Sequence, residues 1–262
     1  MKRRRTAILA LTALAASGCG VGVHFAGYRH TVTPDDTHVA GPVSDIQVSS
    51  DSGHVTVTTG GEGVTVHRVV HYQSGAPHPG QRLSNGTLTF TKGCSRCAID
   101  YDLTVPASVH VRASSDSGSV RVAGVAGADA RSDSGSLTVE HVTGGVSAHT
   151  DSGRVTVDDV GGTLDVATSS GSVRASTLRS AIVRASSDSG SVRLDCAAVP
   201  GNLRTTSHAG SVHIGVPNGR YAIETRTDSG EKHIGDGLTN DAAAPAKLYV
   251  RTDSGGVTID PL

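Results

Sequence analysis

The sequence predicts an all-β chain. The expected architecture is a parallel β-solenoid (a β-roll or β-helix) of about nine rungs of 17–20 residues, with an irregular N-terminal strand cluster. Three observations carry that expectation. The first is a repeated turn: Asp51-Ser52-Gly53 recurs at Asp116-Ser117-Gly118, Asp133-Ser134-Gly135, Asp151-Ser152-Gly153, Asp188-Ser189-Gly190, Asp228-Ser229-Gly230 and Asp253-Ser254-Gly255, with Ser169-Ser170-Gly171 and His208-Ala209-Gly210 as variants. From Gly118 onward the glycines are spaced 17, 18, 18, 19, 20, 20 and 25 residues apart, the period of one coil of chain per repeat. Asp and Ser start turns by bonding the backbone two residues on, and Gly is expected to supply φ > 0.

The second observation is register. Five residues before each Asp position stand Ile46, Val111, Ala128, Val146, Leu164, Val183, Leu203, Ile223 and Leu248, and three before it stand small or β-branched residues such as Ala113, Ala130 and Val166. After each Gly, apolar residues return at +2 and +4, as in Val120/Val122, Leu137/Val139, Val155/Val157, Val192/Leu194 and Val257/Ile259. A fifth apolar position falls near the far corner at Val125, Val142, Val160, Leu178, Val199 and Val216. Apolar–polar alternation means strands with one buried face, and equivalent residues should stack in files. Composition is the third: aromatics are 3%, Trp is absent and Gly numbers 33, which suits a thin core with tight corners better than a globule filled by large rings. A net charge of −1 gives no electrostatic case for nucleic acid.

Along the chain, Lys2-Arg3-Arg4-Arg5 and the apolar Ala7–Ala16 read as the basic and hydrophobic parts of a targeting segment too short to span a bilayer. Ala16-Ser17-Gly18-Cys19 resembles the lipobox of bacterial lipoproteins, which implies that residues 1–18 are a signal peptide and that Cys19 becomes the lipidated N-terminus, the membrane anchor. Ordinary secretory cleavage beside an incidental Cys is the alternative. Residues 19–42 lack periodicity and read as a flexible tether, followed by a solenoid domain at 43–262. Within it, 54–110 should form the irregular N-terminal strands, longer and antiparallel, closing an edge that would otherwise recruit other chains. Residues 111–259 should form the regular rungs, with 235–247 as a surface loop before the last.

Val105-Pro106 followed by serial Ser/Thr-x-Ser-Gly-x-Val-x-Val turns resembles a bacterial family of cell-envelope proteins with β-strand repeats, described as candidate adhesins. The resemblance covers about residues 43–259. It implies a β-solenoid and an envelope location, and it supplies no catalytic residues.

Several residue groups could carry chemistry. The turn aspartates should form one file, neighbours about 5 Å apart, a cation-binding edge or simply solvated turns; about 0.9 kcal/mol of repulsion per pair in water is tolerable without metal. Arg121, Arg174, Arg193, His213 and His233 share the outward +3 position and would form a mildly basic, hydroxyl-rich stripe. Such a stripe suits a cell-wall glycan or anionic polymer, and is equally what a solvated sheet face requires. His213 with His233, or His67 with His71, would give a metal only two ligands. Cys94-Ser95-Arg96-Cys97 lacks the βαβ setting of a redox motif and cannot complete a zinc site alone, so a local disulfide is expected. Cys196 is then a buried apolar residue near a corner, unless it bridges to one of that pair. Lys232 is an oddity at +2, where other rungs have Val or Leu. Asp129, Asp165, Glu224 and Arg184 point outward without the clustering of a catalytic groove. The expected function is a non-enzymatic, lipid-anchored envelope protein for binding, adhesion or scaffolding, without cofactors. The alternatives are an envelope polysaccharide-processing enzyme and a calcium-dependent scaffold.

Overall fold

The computed structural model describes residues 30–33, 36–75, 77–94 and 96–262. The expected signal peptide and Cys19 lie outside these. Alternation and turns divide the described residues into twenty-five strands and no helix. In chain order the first are β1 (His30–Val32), β2 (Thr37–Val39), β3 (Asp45–Ser50), β4 (Val55–Thr59), β5 (Val64–Tyr72), β6 (Gly80–Ser84), β7 (Thr87–Thr91) and β8 (Cys97–Val105). Six regular rungs follow as strand pairs: β9 (His110–Ser115) with β10 (Val120–Ala123), β11 (Gly127–Ser132) with β12 (Leu137–Val142), β13 (Val146–Thr150) with β14 (Val155–Val160), β15 (Leu164–Thr168) with β16 (Val173–Leu178), β17 (Ile182–Ser189) with β18 (Val192–Cys196), and β19 (Asn202–Ala209) with β20 (Val212–Val216). The last are β21 (Gly219–Ser229), β22 (Lys232–Ile234), β23 (Leu238–Asn240), β24 (Lys247–Ser254) and β25 (Val257–Pro261).

Each rung contributes one strand to each of two long sheets, so its cross-section is two-sided. Sheet A runs β1-β5-β8-β4-β10-β12-β14-β16-β18-β20-β25-β22, with β2 also on β5; sheet B runs β23-β21-β24-β19-β17-β15-β13-β11-β9-β3-β7-β6. The regular rungs stack parallel and in register. Val120 stands opposite Leu137, Leu137 opposite Val155, Val155 opposite Val173, and Val173 opposite Val192. In sheet B, Val111, Ala128, Val146, Leu164, Val183 and Leu203 align likewise. All of these are buried, and each Val or Leu taken from water contributes about 1.5–3 kcal/mol.

Stacking departs from chain order at both ends. The 54–110 insertion contains a tenth rung, β7 with β8, lying parallel beneath β3 and β4. The chain then jumps over that rung to lay β9 and β10 on its other side. Beyond the tenth rung, β5 and β6 run antiparallel to β8 and β7, as the edge-closing expectation required. β1 and β2 in turn cover β5, so 30–32 and 37–39 are strands rather than part of a tether. At the other end, β24 and β25 insert between β19/β20 and β21/β22. The 235–247 segment is therefore the return path rather than a bare loop, and its β23 extends sheet B. This order explains Lys232: it lies in exposed β22, the outermost strand of sheet A, where a Lys discourages further pairing.

The corners also depart from expectation. Of the nine turn glycines, only Gly210 and Gly255 have φ in the positive region. The rest are required by close approach: a Cβ on Gly118, Gly135 or Gly171 would lie 1.9 Å from the glycine carbonyl of the rung below. The side chains of Asp116, Asp133 and Asp151 do not bond the turn backbone; the residue before each does. Ser115 Oγ accepts from Gly118 N at 2.9 Å and donates to Gly53 O at 3.0 Å. Ser50, Ser132, Thr150, Thr168, Ser187, Ser207 and Thr252 repeat the donation to the neighbouring rung. A file of hydroxyls, nearly all buried, thus stitches rung to rung. Ser115→Ala would orphan an N–H and a C=O and is expected to cost about 2–4 kcal/mol. Ser115→Thr should recover most of it, since Thr150 fills the equivalent place; urea unfolding midpoints check both. Thr205 shows the converse. Its Oγ1 is buried without a partner in a file whose other buried members are Ala and Val, so Thr205→Val is expected to raise stability by about 1 kcal/mol in the same assay.

Candidate functional site

The sheet A stripe forms as a single outward file. Arg121, Thr138, Thr156, Arg174, Arg193, His213, Thr258 and His233 stand in successive register. His213 and His233 are therefore separated by Thr258 and are not on adjacent rungs. Two residues further along each strand runs a second outward file, which holds Glu140, Asp158, Asp195 and Asp260. Arg121 Nη2 donates to Glu140 Oε2 at 2.5 Å and Arg193 Nε to Asp195 Oδ2 at 3.4 Å. Both histidines face Asp260, at 3.9 and 3.5 Å. The stripe is thus largely matched by its own neighbours, and Arg174 alone among its arginines has no carboxylate partner.

The turn aspartates line one corner, interrupted at Ser169 and His208. Asp51 pairs with Lys92, Asp188 with His208 at 3.3 Å, and Asp253 with Arg251 at 3.1 Å. Among the described residues no group of three or more His, Cys, Asp or Glu is placed to hold a metal. His67 lies 2.6 Å from Asp36, and His71 3.1 Å from Asp100. On sheet B, Asp129 pairs with Arg112 and Arg131, Asp165 with His149, and Glu224 with Arg226. These acids are thereby spread singly along the face.

Cys94 and Cys97 are joined by a disulfide with a Cα–Cα distance of 6.1 Å, at the corner where β7 passes into β8. Cys196 is a free, buried thiol. It stands opposite Leu178 and fills the corner file in place of Val199, which is 54% exposed. Burial, helped by Asp195, pushes its thiol up to about 12. The fold therefore resists forming the thiolate: stability should hold below the ordinary thiol value near 9 and fall as pH rises from about 9 toward 12. Burial raises Tyr101 and Tyr221 as well, adding in the same direction. Alkylation of the Cys196 peptide at pH 8 is expected only as the chain unfolds, and Cys196→Ala should shallow the alkaline loss of stability; mass spectrometry and pH-dependent melting check these.

What sequence reading missed is the end of sheet B at β24 and β21. There Arg204 of β19 stacks its guanidinium 4.3 Å from the centre of the Tyr249 ring. An open groove of about 490 Å³ runs past Asn202, Arg204, Ala222, Lys247 and Tyr249. The signal was visible only once the non-sequential stacking placed 202–204 beside 247–249.

A two-sheet parallel solenoid with hydroxyl-stitched corners and largely polar outer faces defines a repeat-built β protein. The Toastrack DUF4097 family model matches residues 31–260, and the chain belongs to that family. Among solved structures, a candidate adhesin from Bacteroides fragilis NCTC 9343 shares 14% identity and a TM-score of 0.51, over 90% of this chain and 99% of that one. A candidate adhesin from Parabacteroides distasonis ATCC 8503 shares 10% identity at a TM-score of 0.41, over 90% and 98%. A candidate cell adhesion protein from Clostridium sporogenes ATCC 15579 shares 8% at 0.34, over 89% and 100%. No curated protein matches the sequence.

Proposed function

We propose that this protein is a lipid-anchored, extracytoplasmic binding or adhesion module that presents its two long sheet faces to polymers of the cell envelope, without catalysis. The observation that carries the reading is the regularity of those faces: outward side chains run in mostly polar files, and the acids of sheet B are held singly in ion pairs, unlike the convergent acid and base of a hydrolase. The family membership and the adhesin descriptions of the fold's neighbours support it. In this reading Cys19 carries the lipid, and Arg121, Arg174, Arg193, His213 and His233 supply polar contacts along sheet A. The test is retention of the chain on isolated cell envelope. Retention without cleavage of envelope glycans is expected, whereas glycan cleavage abolished by one Asp substitution would overturn it in favour of an enzyme. Fatty-acid labelling should be present in the wild type and lost in Cys19→Ala. A melting temperature that rises steeply with Ca²⁺ would replace the adhesive reading with a calcium-dependent scaffold.

A further inference from the structure

We infer that the groove at the end of sheet B is a site for the anionic groups of an acidic polysaccharide, lying along the stack of rungs. This rests on the envelope-binding reading and assigns it a place that the sheet A stripe does not occupy. Charge is the first argument. The carboxylates beside the groove, Glu224 and Asp241, already have their own arginines, Arg226 and Arg220. Arg204, Lys247 and Arg184 have no such partner, and all three are exposed. Register brings them together, because Arg184 stands opposite Arg204, Arg204 opposite Tyr249, and Lys247 opposite Asn202. Three unmatched cations thus project within three rungs, spaced by the strand separation of about 4.8 Å.

Shape is the second argument. Ala222 continues the file of Asn202 and Lys247 and leaves a depression that a longer side chain would fill. Asn240 closes its far end, its amide committed to the backbone N–H and C=O of Ile223 at 3.0 and 3.3 Å. The stacked Tyr249 ring fixes the plane of Arg204, so its N–H fork meets a carboxylate or phosphate without first losing side-chain freedom. The rung spacing is close to the length of one sugar residue in an extended glycan. A chain laid parallel to the stack would therefore bring one acidic group to each cationic rung.

Binding of the full-length chain to polygalacturonate, poly(glycerol phosphate), neutral dextran and single-stranded DNA tests the inference. Salt-sensitive binding to one or both acidic polymers, and none to dextran, is expected; the carboxylate and phosphate arms identify which anion is read. The triple variant Arg184→Ala/Arg204→Ala/Lys247→Ala should bind about tenfold or more weakly, with an unchanged melting temperature. Arg179→Ala, a corner cation held by Asp159, should bind as the wild type does. Arg204→Lys, which keeps charge but loses the planar fork, should fall between. Unchanged binding by the triple variant, equal binding of DNA, or wild-type binding by Arg204→Lys would overturn the site as described. If neither acidic polymer binds while envelope retention persists, this inference fails and the broader function stands; loss of envelope retention itself would strike the function.

Discussion

Gly135→Ala is expected to destabilise the protein by about 3 kcal/mol or more, the upper range for forcing atoms into a packed interior. The added Cβ would lie 1.9 Å from Gly118 O and 2.6 Å from its carbonyl carbon, both backbone, so no rotamer change relieves the clash. The two rungs would have to separate at that corner. Separation would stretch the Ser132 Oγ contact to Gly118 O at 3.3 Å and the Ser134 N bond to Asp116 O at 2.9 Å. Gly61→Ala supplies the contrast. There φ is +72° and nothing lies within 4 Å of the added carbon, so only left-handed backbone strain of about 1–2 kcal/mol applies. Urea midpoints of the two variants check the difference. Equal losses would mean that the corner glycines serve backbone conformation after all, as the sequence alone implies.

That contrast shows where the sequence was readable. The inward files were legible because Val120, Leu137, Val155 and Val192 recur with a phase that burial alone explains, and the structure aligns them. The hydroxyl file at Ser115, Ser132 and Thr150 is present in the same repeat, but nothing in its polarity tells what it bonds. Only the stacked geometry shows that its neighbour across the rung is a buried glycine carbonyl. Val199 was assigned to the core by its apolarity, whereas the bulge between Ala175 and Leu178 shifts the register and gives the place to Cys196. Rung order was illegible for a deeper reason. A repeat specifies what each rung packs against in kind, and any rung presents the same Val, Leu and Ala files to its neighbour, so the local code cannot tell Asp228-Ser229-Gly230 from Asp253-Ser254-Gly255. The groove depends on that order and was hidden with it.

Removing residues 247–262 is expected to do far more than shorten the solenoid. In a stack held by nearest-neighbour contacts, loss of a terminal rung breaks one interface, whereas loss of an internal rung breaks two. β24 and β25 are internal despite being last in the chain. Their inward Leu248, Val250, Val257 and Ile259 are buried, a contribution on the order of 6–12 kcal/mol, comparable to the net stability of a whole domain. Without them β22 has no partner and β21 keeps only β23, so 219–246 should become protease-sensitive while β19 and β20 are bared as a new edge. Hydrogen exchange on the intact chain reads the same arrangement without mutation. Amides of β25 should be protected nearly as well as those of β18, and those of exposed β22 should exchange first. A stack in chain order predicts the reverse ranking, with β25 fraying and β22 protected, and a truncated chain whose β21 remains resistant to protease.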